Sequence, residues 1–211
     1  MKDRASSRLR LGFQLRAGMR VGLFGGTFDP AHSGHAQAAR EAVRRLGLER
    51  LIWLVSPGNP LKPASMGSLE RRIRSARAQT AGSAMLVSDA EARLGTRYTI
   101  DLVRALKRRW PTVRFVWIMG ADGLAEIHLW KDWRQIFALV PVAVIARPGF
   151  ALKSQTSRAA RRFARSRLPL SAAGRLALAT PPAWTYIITP LDPSSSTQLR
   201  ALALTANGEA C

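Results

Sequence analysis

Two histidines three residues apart, His32 and His35, close the stretch Val21-Gly22-Leu23-Phe24-Gly25-Gly26-Thr27-Phe28-Asp29-Pro30-Ala31-His32-Ser33-Gly34-His35. At that spacing the two rings stand about one helical turn apart. Val21–Phe24 reads as a short apolar strand, and Ala38, Ala39, Ala42, Val43 and Leu46 recur at helical spacing beyond it. Glycines after a strand let the backbone approach a ligand that a Cβ would block. The following helix start turns unpaired N–H groups and the positive end of its dipole toward that ligand. The chemistry is anion binding, with Gly25, Gly26, Thr27 and Phe28 forming a phosphate cradle beside two imidazoles. No Gly-Lys-Ser/Thr follows and Gly-x-Gly-x-x-Gly is missing, so this is neither a Walker loop nor a dinucleotide fingerprint.

Other candidate groups are spread along the chain. Lys62 stands in a loop broken by Pro57, Gly58, Pro60 and Pro63. Gly120-Ala121-Asp122 follows a strand-like run, where a carboxylate with two acceptor oxygens suits the hydroxyls of a ribose. Near the end of the chain, the hydroxyl run Ser194-Ser195-Ser196-Thr197 precedes Arg200, a second arrangement suited to phosphate oxygens at a helix start.

These groups need a scaffold. Arg50–Val55, Ala84–Ser88, Val113–Met119, Val142–Ala146 and Trp184–Ile188 read as further strands. Ser68 is placed to cap a helix through Thr80, with Leu69, Ile73 and Ala76 inward and Arg71, Arg72, Arg74 and Arg77 on a wetted face. Arg97–Leu102 opens another helix, with Leu102, Val103 and Leu106 inward. Strands alternating with helices predict a Rossmann-like, doubly wound α/β fold, mostly parallel, with helices on both faces and a site at the strands' carboxyl ends.

The 211 residues suit one domain, expected over 19–211. Residues 1–18 lack clean periodicity and read as a basic tail, open to disorder, either a true extension or a stretch upstream of a start at Met19. The Arg- and Ala-rich segment 151–180 reads as a surface excursion. The longest apolar run, Ile136–Ala146, is far short of the ~20 residues of a spanning helix, and no secretory signal is evident. A cytoplasmic protein is expected, and the single Cys211 leaves no internal disulfide and no His-Cys zinc site. A net charge of +20 raises a rival reading as a nucleic-acid-binding protein. Without interleaved aromatics or a helix-turn-helix pattern, an Arg-rich solvated surface is preferred.

The stretch Gly25–His35 resembles the Gly-Gly-Thr-Phe-Asp-Pro-x-His-x-Gly-His signature of the HxGH nucleotidyltransferases, and within them the bacterial nicotinate-nucleotide adenylyltransferases. Ser194–Arg200 resembles the Ile-Ser-Ser-Thr-x-Ile-Arg motif of the same superfamily, with Ser194 and Leu199 replacing the two Ile. The family's Pro-Pro-His-Lys is similar to Asn59-Pro60-Leu61-Lys62, where Leu61 replaces the His. Its Ser-Tyr-Thr stretch is similar to Arg97-Tyr98-Thr99, and its Arg-Pro-Gly to Arg147-Pro148-Gly149. The resemblance implies transfer of adenylyl from ATP to nicotinate mononucleotide, giving deamido-NAD and pyrophosphate. It implies ATP binding by Gly25, Gly26, Thr27, Phe28, His32, His35, Gly120, Asp122, Ser195, Ser196, Thr197 and Arg200, with His35, His32 and Arg200 catalytic. It implies mononucleotide binding by Lys62, Tyr98, Thr99, Trp130 and Arg147, with Trp130 aligning best with the stacking indole. Mg²⁺ is expected on the ATP phosphates rather than on protein ligands. An amide mononucleotide or another HxGH nucleotidyltransferase activity is the alternative, membrane association is not expected, and homo-oligomers are allowed.

Overall fold

The computed structural model describes residues 13–58, 67–146 and 151–189. Strands and helices alternate as β1 (Arg20–Gly26), α1 (Ser33–Leu46), β2 (Arg50–Val55), α2 (Leu69–Thr80), β3 (Met85–Ser88), α3 (Ala90–Arg93), α4 (Thr99–Arg109), β4 (Arg114–Gly120), α5 (Ala121–Glu126), α6 (Trp133–Leu139), β5 (Val142–Ala146), α7 (Ala151–Gln155), α8 (Arg158–Arg162) and β6 (Trp184–Ile188). Three stretches of 3-10 helix, Ile127–Leu129, Ala164–Ser166 and Leu170–Leu178, complete the described elements.

The six strands form one sheet in the order β3-β2-β1-β4-β5-β6. Every neighbouring pair runs parallel. A parallel sheet is covered on both faces, so its strands are apolar runs rather than alternating ones. β2 obeys this, with Leu51–Val55 buried without interruption. Two cores result. One gathers Leu23, Ile52, Leu54, Trp117 and Val144 under α4, α5, α6 and α8. The other gathers Phe24, Trp53, Ile118 and Ile145 under α1, α2 and the Leu170–Leu178 stretch. The chain steps outward from β1 to β2 and β3, then returns to place β4 on the other side of β1. That reversal makes the carboxyl ends of β1 and β4 the topological switch point, the usual ligand position in this architecture.

Helix α1 shows why its sequence is helical. Ala36, Ala39, Ala42 and Leu46 form its buried stripe, Arg44 and Arg45 sit in its last turn, and Gly47 ends it at φ 59°. Among the described helices, none is long and apolar enough to cross a membrane.

Two expectations are corrected. Segment 151–180 is not a surface excursion, because Ala159, Ala160, Ala172, Ala173, Leu176 and Ala177 are buried. Small side chains let this Arg-rich stretch lie close to the sheet, where Trp184 Nε1 donates to Phe163 O at 2.8 Å and Ser154 and Tyr186 share a buried 2.7 Å hydrogen bond. Residues 13–18, expected in the basic tail, also pack on the fold. Phe13 stacks on Trp110 at 5.3 Å, Leu15 packs on the core, and Gly18 N donates to Thr112 O at 3.2 Å.

Candidate functional site

The turn leaving β1 carries the cradle. Its glycines make room first for the protein's own rings. A Cβ on Gly25 would lie 2.5 Å from the Trp117 ring, and one on Gly26 would lie 3.0 Å from Phe28. Phe28 is buried and adopts φ 49°, a left-handed conformation that is a genuine outlier for a bulky side chain and costs about 1–3 kcal/mol. Its ring repays this by stacking on Trp53 at 4.9 Å and meeting Phe24 and His35 nearly edge-on at 5.4 and 5.1 Å.

The two histidines then form a capping box. His32 is the N-cap of α1, its Nδ1 accepting from Gly34 N at 3.2 Å, while His35 Nδ1 accepts from His32 N at 3.4 Å. An Nδ1 that accepts carries no proton, so each neutral ring holds its hydrogen on Nε2. The rings lie 3.9 Å apart, with His32 buried and His35 half-buried. The helix start thus fixes both rings through its own backbone.

On the neighbouring strand, Gly120 lets the Asp122 carboxylate fold back over the end of β4, since a Cβ there would collide with Asp122 Oδ1. Asp122 itself is exposed in the first turn of α5. Across the sheet, Trp130 is half-buried and meets Trp117 edge-on at 6.5 Å, placing it one ring away from Gly25. Trp133 is buried on α6 against Phe137 and Phe163. Lys131, next to Trp130 in the chain, lies 4.6 Å over the exposed Tyr98 ring and 3.4 Å from Asp101. Tyr98 and Thr99 stand at the start of α4, which Lys131 joins to the stretch after Trp130. Lys62, Arg147, Ser195, Ser196, Thr197 and Arg200 lie outside the described residues.

Arg72 requires a correction. It was expected on the wetted face of α2 and is instead 2% exposed. Its Nη1 donates to Thr27 O at 2.9 Å and Ser56 O at 2.6 Å, its Nη2 to Pro57 O at 3.3 Å and its Nε to Gly67 O at 3.1 Å. Four carbonyls replace the water such a buried cation loses. Burial pulls its pKa down, while Asp29 and then Glu70 oppose the shift. Glu91 on α3 was also missed. It is buried and hydrogen-bonded to the Ser56 side chain, and burial pushes its carboxyl up to about 7. For Arg72 a signal existed, because 69, 72, 73 and 76 share one helical stripe. The four-residue α3 has no period to read.

A family model described as cytidylyltransferase-like matches residues 23–202. A protein of Caulobacter sp. (strain K31), named a probable nicotinate-nucleotide adenylyltransferase, is 58% identical over 183 residues, covering 86% of this chain and 97% of its own. One of Ruegeria pomeroyi with the same name is 50% identical over 194 residues, covering 92% and 91%. The solved nicotinic acid mononucleotide adenylyltransferase of Plasmodium falciparum, complexed with NaAD, superposes with a TM-score of 0.66 at 16% identity, over 87% of this chain and 83% of that one. At that identity the superposition speaks for the fold.

Proposed function

Because this chain belongs to the cytidylyltransferase-like family and, within it, to the nicotinate-nucleotide adenylyltransferases, we propose that it transfers adenylyl from MgATP to nicotinate mononucleotide in NAD biosynthesis. The products are deamido-NAD and pyrophosphate. The observation that carries the reading is the double-histidine cap, in which both rings are fixed at the start of α1 by backbone N–H donors to their Nδ1 atoms.

The 5′-phosphate of the mononucleotide attacks the α-phosphorus of ATP. A new O–P bond forms, the bond from the α-phosphorus to the bridging oxygen breaks, and that electron pair leaves with pyrophosphate. A phosphate monoester with its second pKa near ~6 is already an anion at neutral pH, so neither a general base nor a covalent intermediate is needed. The protein supplies alignment and positive charge. His35 Nε2–H and the α1 amides meet charge on the α-phosphate and the bridging oxygen, while His32 holds neighbouring oxygens. Gly25, Gly26, Thr27 and Phe28 shape the turn beneath the phosphates, and Asp122 takes the adenosine ribose. Ser195, Ser196, Thr197 and Arg200 bind the β- and γ-phosphates. Trp130 stacks on the pyridine ring, Tyr98 and Thr99 adjoin its carboxylate, and Lys62 and Arg147 take the mononucleotide phosphate side.

Mg²⁺ enters as part of the ATP substrate. The ATP phosphates would hold it, since Mg²⁺ usually keeps several waters and takes few protein ligands.

Purified protein offered MgATP with nicotinate mononucleotide or with nicotinamide mononucleotide should release pyrophosphate faster with the carboxylate substrate. Preference for the amide would overturn the substrate assignment, and no release with either would overturn the reading.

A further inference from the structure

The segment Thr27–Ala31 is held from outside at three points, all near the start of α2. Arg72 takes Thr27 O at one end. At the other end Ala31 N donates to Ser75 Oγ at 3.2 Å, and Ser75 Oγ in turn donates to Arg72 O at 2.9 Å. Between them Asp29 Oδ2 accepts from Gly67 N at 3.4 Å, one residue before the Ser68 cap of α2. The same guanidinium also gathers Ser56 O, Pro57 O and Gly67 O, on the two sides of the 59–66 segment that carries Lys62.

We propose that the first two turns of α2 are a brace for the phosphate turn, in which Arg72 and Ser75 are positioning residues that fix Thr27–Ala31 relative to the end of β2. The strained Phe28 backbone needs such a brace, since an unfavourable conformation persists only where its surroundings over-determine it. Arg72 and Ser75 lie one turn apart, so one rigid helix fixes both ends of the segment. A lysine ammonium cannot replace the planar fork, which reaches carbonyls in several directions at once. The brace sets the position of the cradle relative to the ends of β2 and α2, where an error of about 1 Å costs about 10²-fold in rate. This inference rests on the adenylyl-transfer reading for its rate and on ATP binding alone for its geometry.

The test compares wild type, Ser75→Ala and Arg72→Lys by MgATP affinity from calorimetry without a second substrate, by kcat and KM at saturating MgATP, and by thermal midpoint. The expected result for Ser75→Ala is a three- to tenfold loss of MgATP affinity and of kcat, with the midpoint within about 2 °C of wild type. Arg72→Lys should lose ten- to a hundredfold in kcat. If Arg72→Lys does not fold, Ser75→Ala decides alone. Lower midpoints with wild-type kcat, KM and ATP affinity would make α2 a merely structural support and end the proposal. Wild-type protein that binds MgATP but transfers to neither mononucleotide would sink the substrate reading and leave the brace to be judged on ATP affinity.

Discussion

Replacing Glu91 by Gln should change how stability depends on pH. Glu91 is 5% exposed on α3, and burial pushes its carboxyl from 4.5 up to about 7, with the Ser56 hydrogen bond opposing. In the unfolded chain the group ionises near its ordinary value. Below 4.5 both states hold the proton and the group adds no pH dependence. Between 4.5 and about 7 the folded state keeps a proton that the unfolded state has released, so wild-type stability falls as pH rises. Above 7 both states are ionised and the loss is complete. At about 1.4 kcal/mol per pH unit the interval amounts to about 3 kcal/mol, a sizeable part of a typical 5–15 kcal/mol total. Gln has nearly the same shape and no charge to bury. The stability of Glu91→Gln minus that of wild type should therefore rise by about 3 kcal/mol between pH 4.5 and 8. Urea unfolding of both proteins at half-unit pH steps measures this directly, and other titrating groups cancel in the difference. Two curves that stay parallel within about 0.5 kcal/mol across that range would refute the burial argument.

Two further outcomes concern the phosphates. His35→Ala should lower kcat by about 10²–10³, the scale for one preorganised donor, and should lose about 1 kcal/mol of stability with the acceptor for His32 N; pyrophosphate release within threefold of wild type would remove its catalytic role. Arg200→Ala should weaken ATP far more than the mononucleotide, and equal loss for both substrates in steady-state titrations would point instead to a damaged fold.

The sheet was legible because buried parallel strands leave continuous apolar runs. Arg50–Val55 and Val142–Ala146 match to the residue. β4 begins one residue later than expected and continues into Gly120, where Asp122 replaces packing as the feature of interest. The charged residues were less legible, because charge and position on a helix gave opposite answers. Arg72 lies on the buried stripe of α2, and its type suggested solvent, but four backbone carbonyls decided for burial. Segment 151–180 misled in the same way. Its arginines suggested exposure, while the alanines between them make the contacts with the sheet. The glycines of the cradle were read from their motif, yet what a Cβ would meet at Gly25 is Trp117, a ring from β4 that sequence order does not bring to mind.

The capping box explains why imidazole stands at both positions. Each Nδ1 must accept from a backbone N–H to start α1, and on the proposed reading each Nε2 must donate to a phosphate oxygen. Lysine and arginine carry donors but no acceptor, so they would leave the N–H groups of His32 and Gly34 unsatisfied. Carboxylates would cap the helix and repel the triphosphate. An amide offers a donor and an acceptor, but both hang on one carbon, whereas imidazole sets them on separate ring nitrogens facing different neighbours. Imidazole thus meets both demands, and Phe24, Phe28 and Trp53 form an aromatic wall beside His35. Helix initiation and phosphate chemistry are thus assigned to the two nitrogens of one ring, which ties the geometry of the donor to the folding of α1.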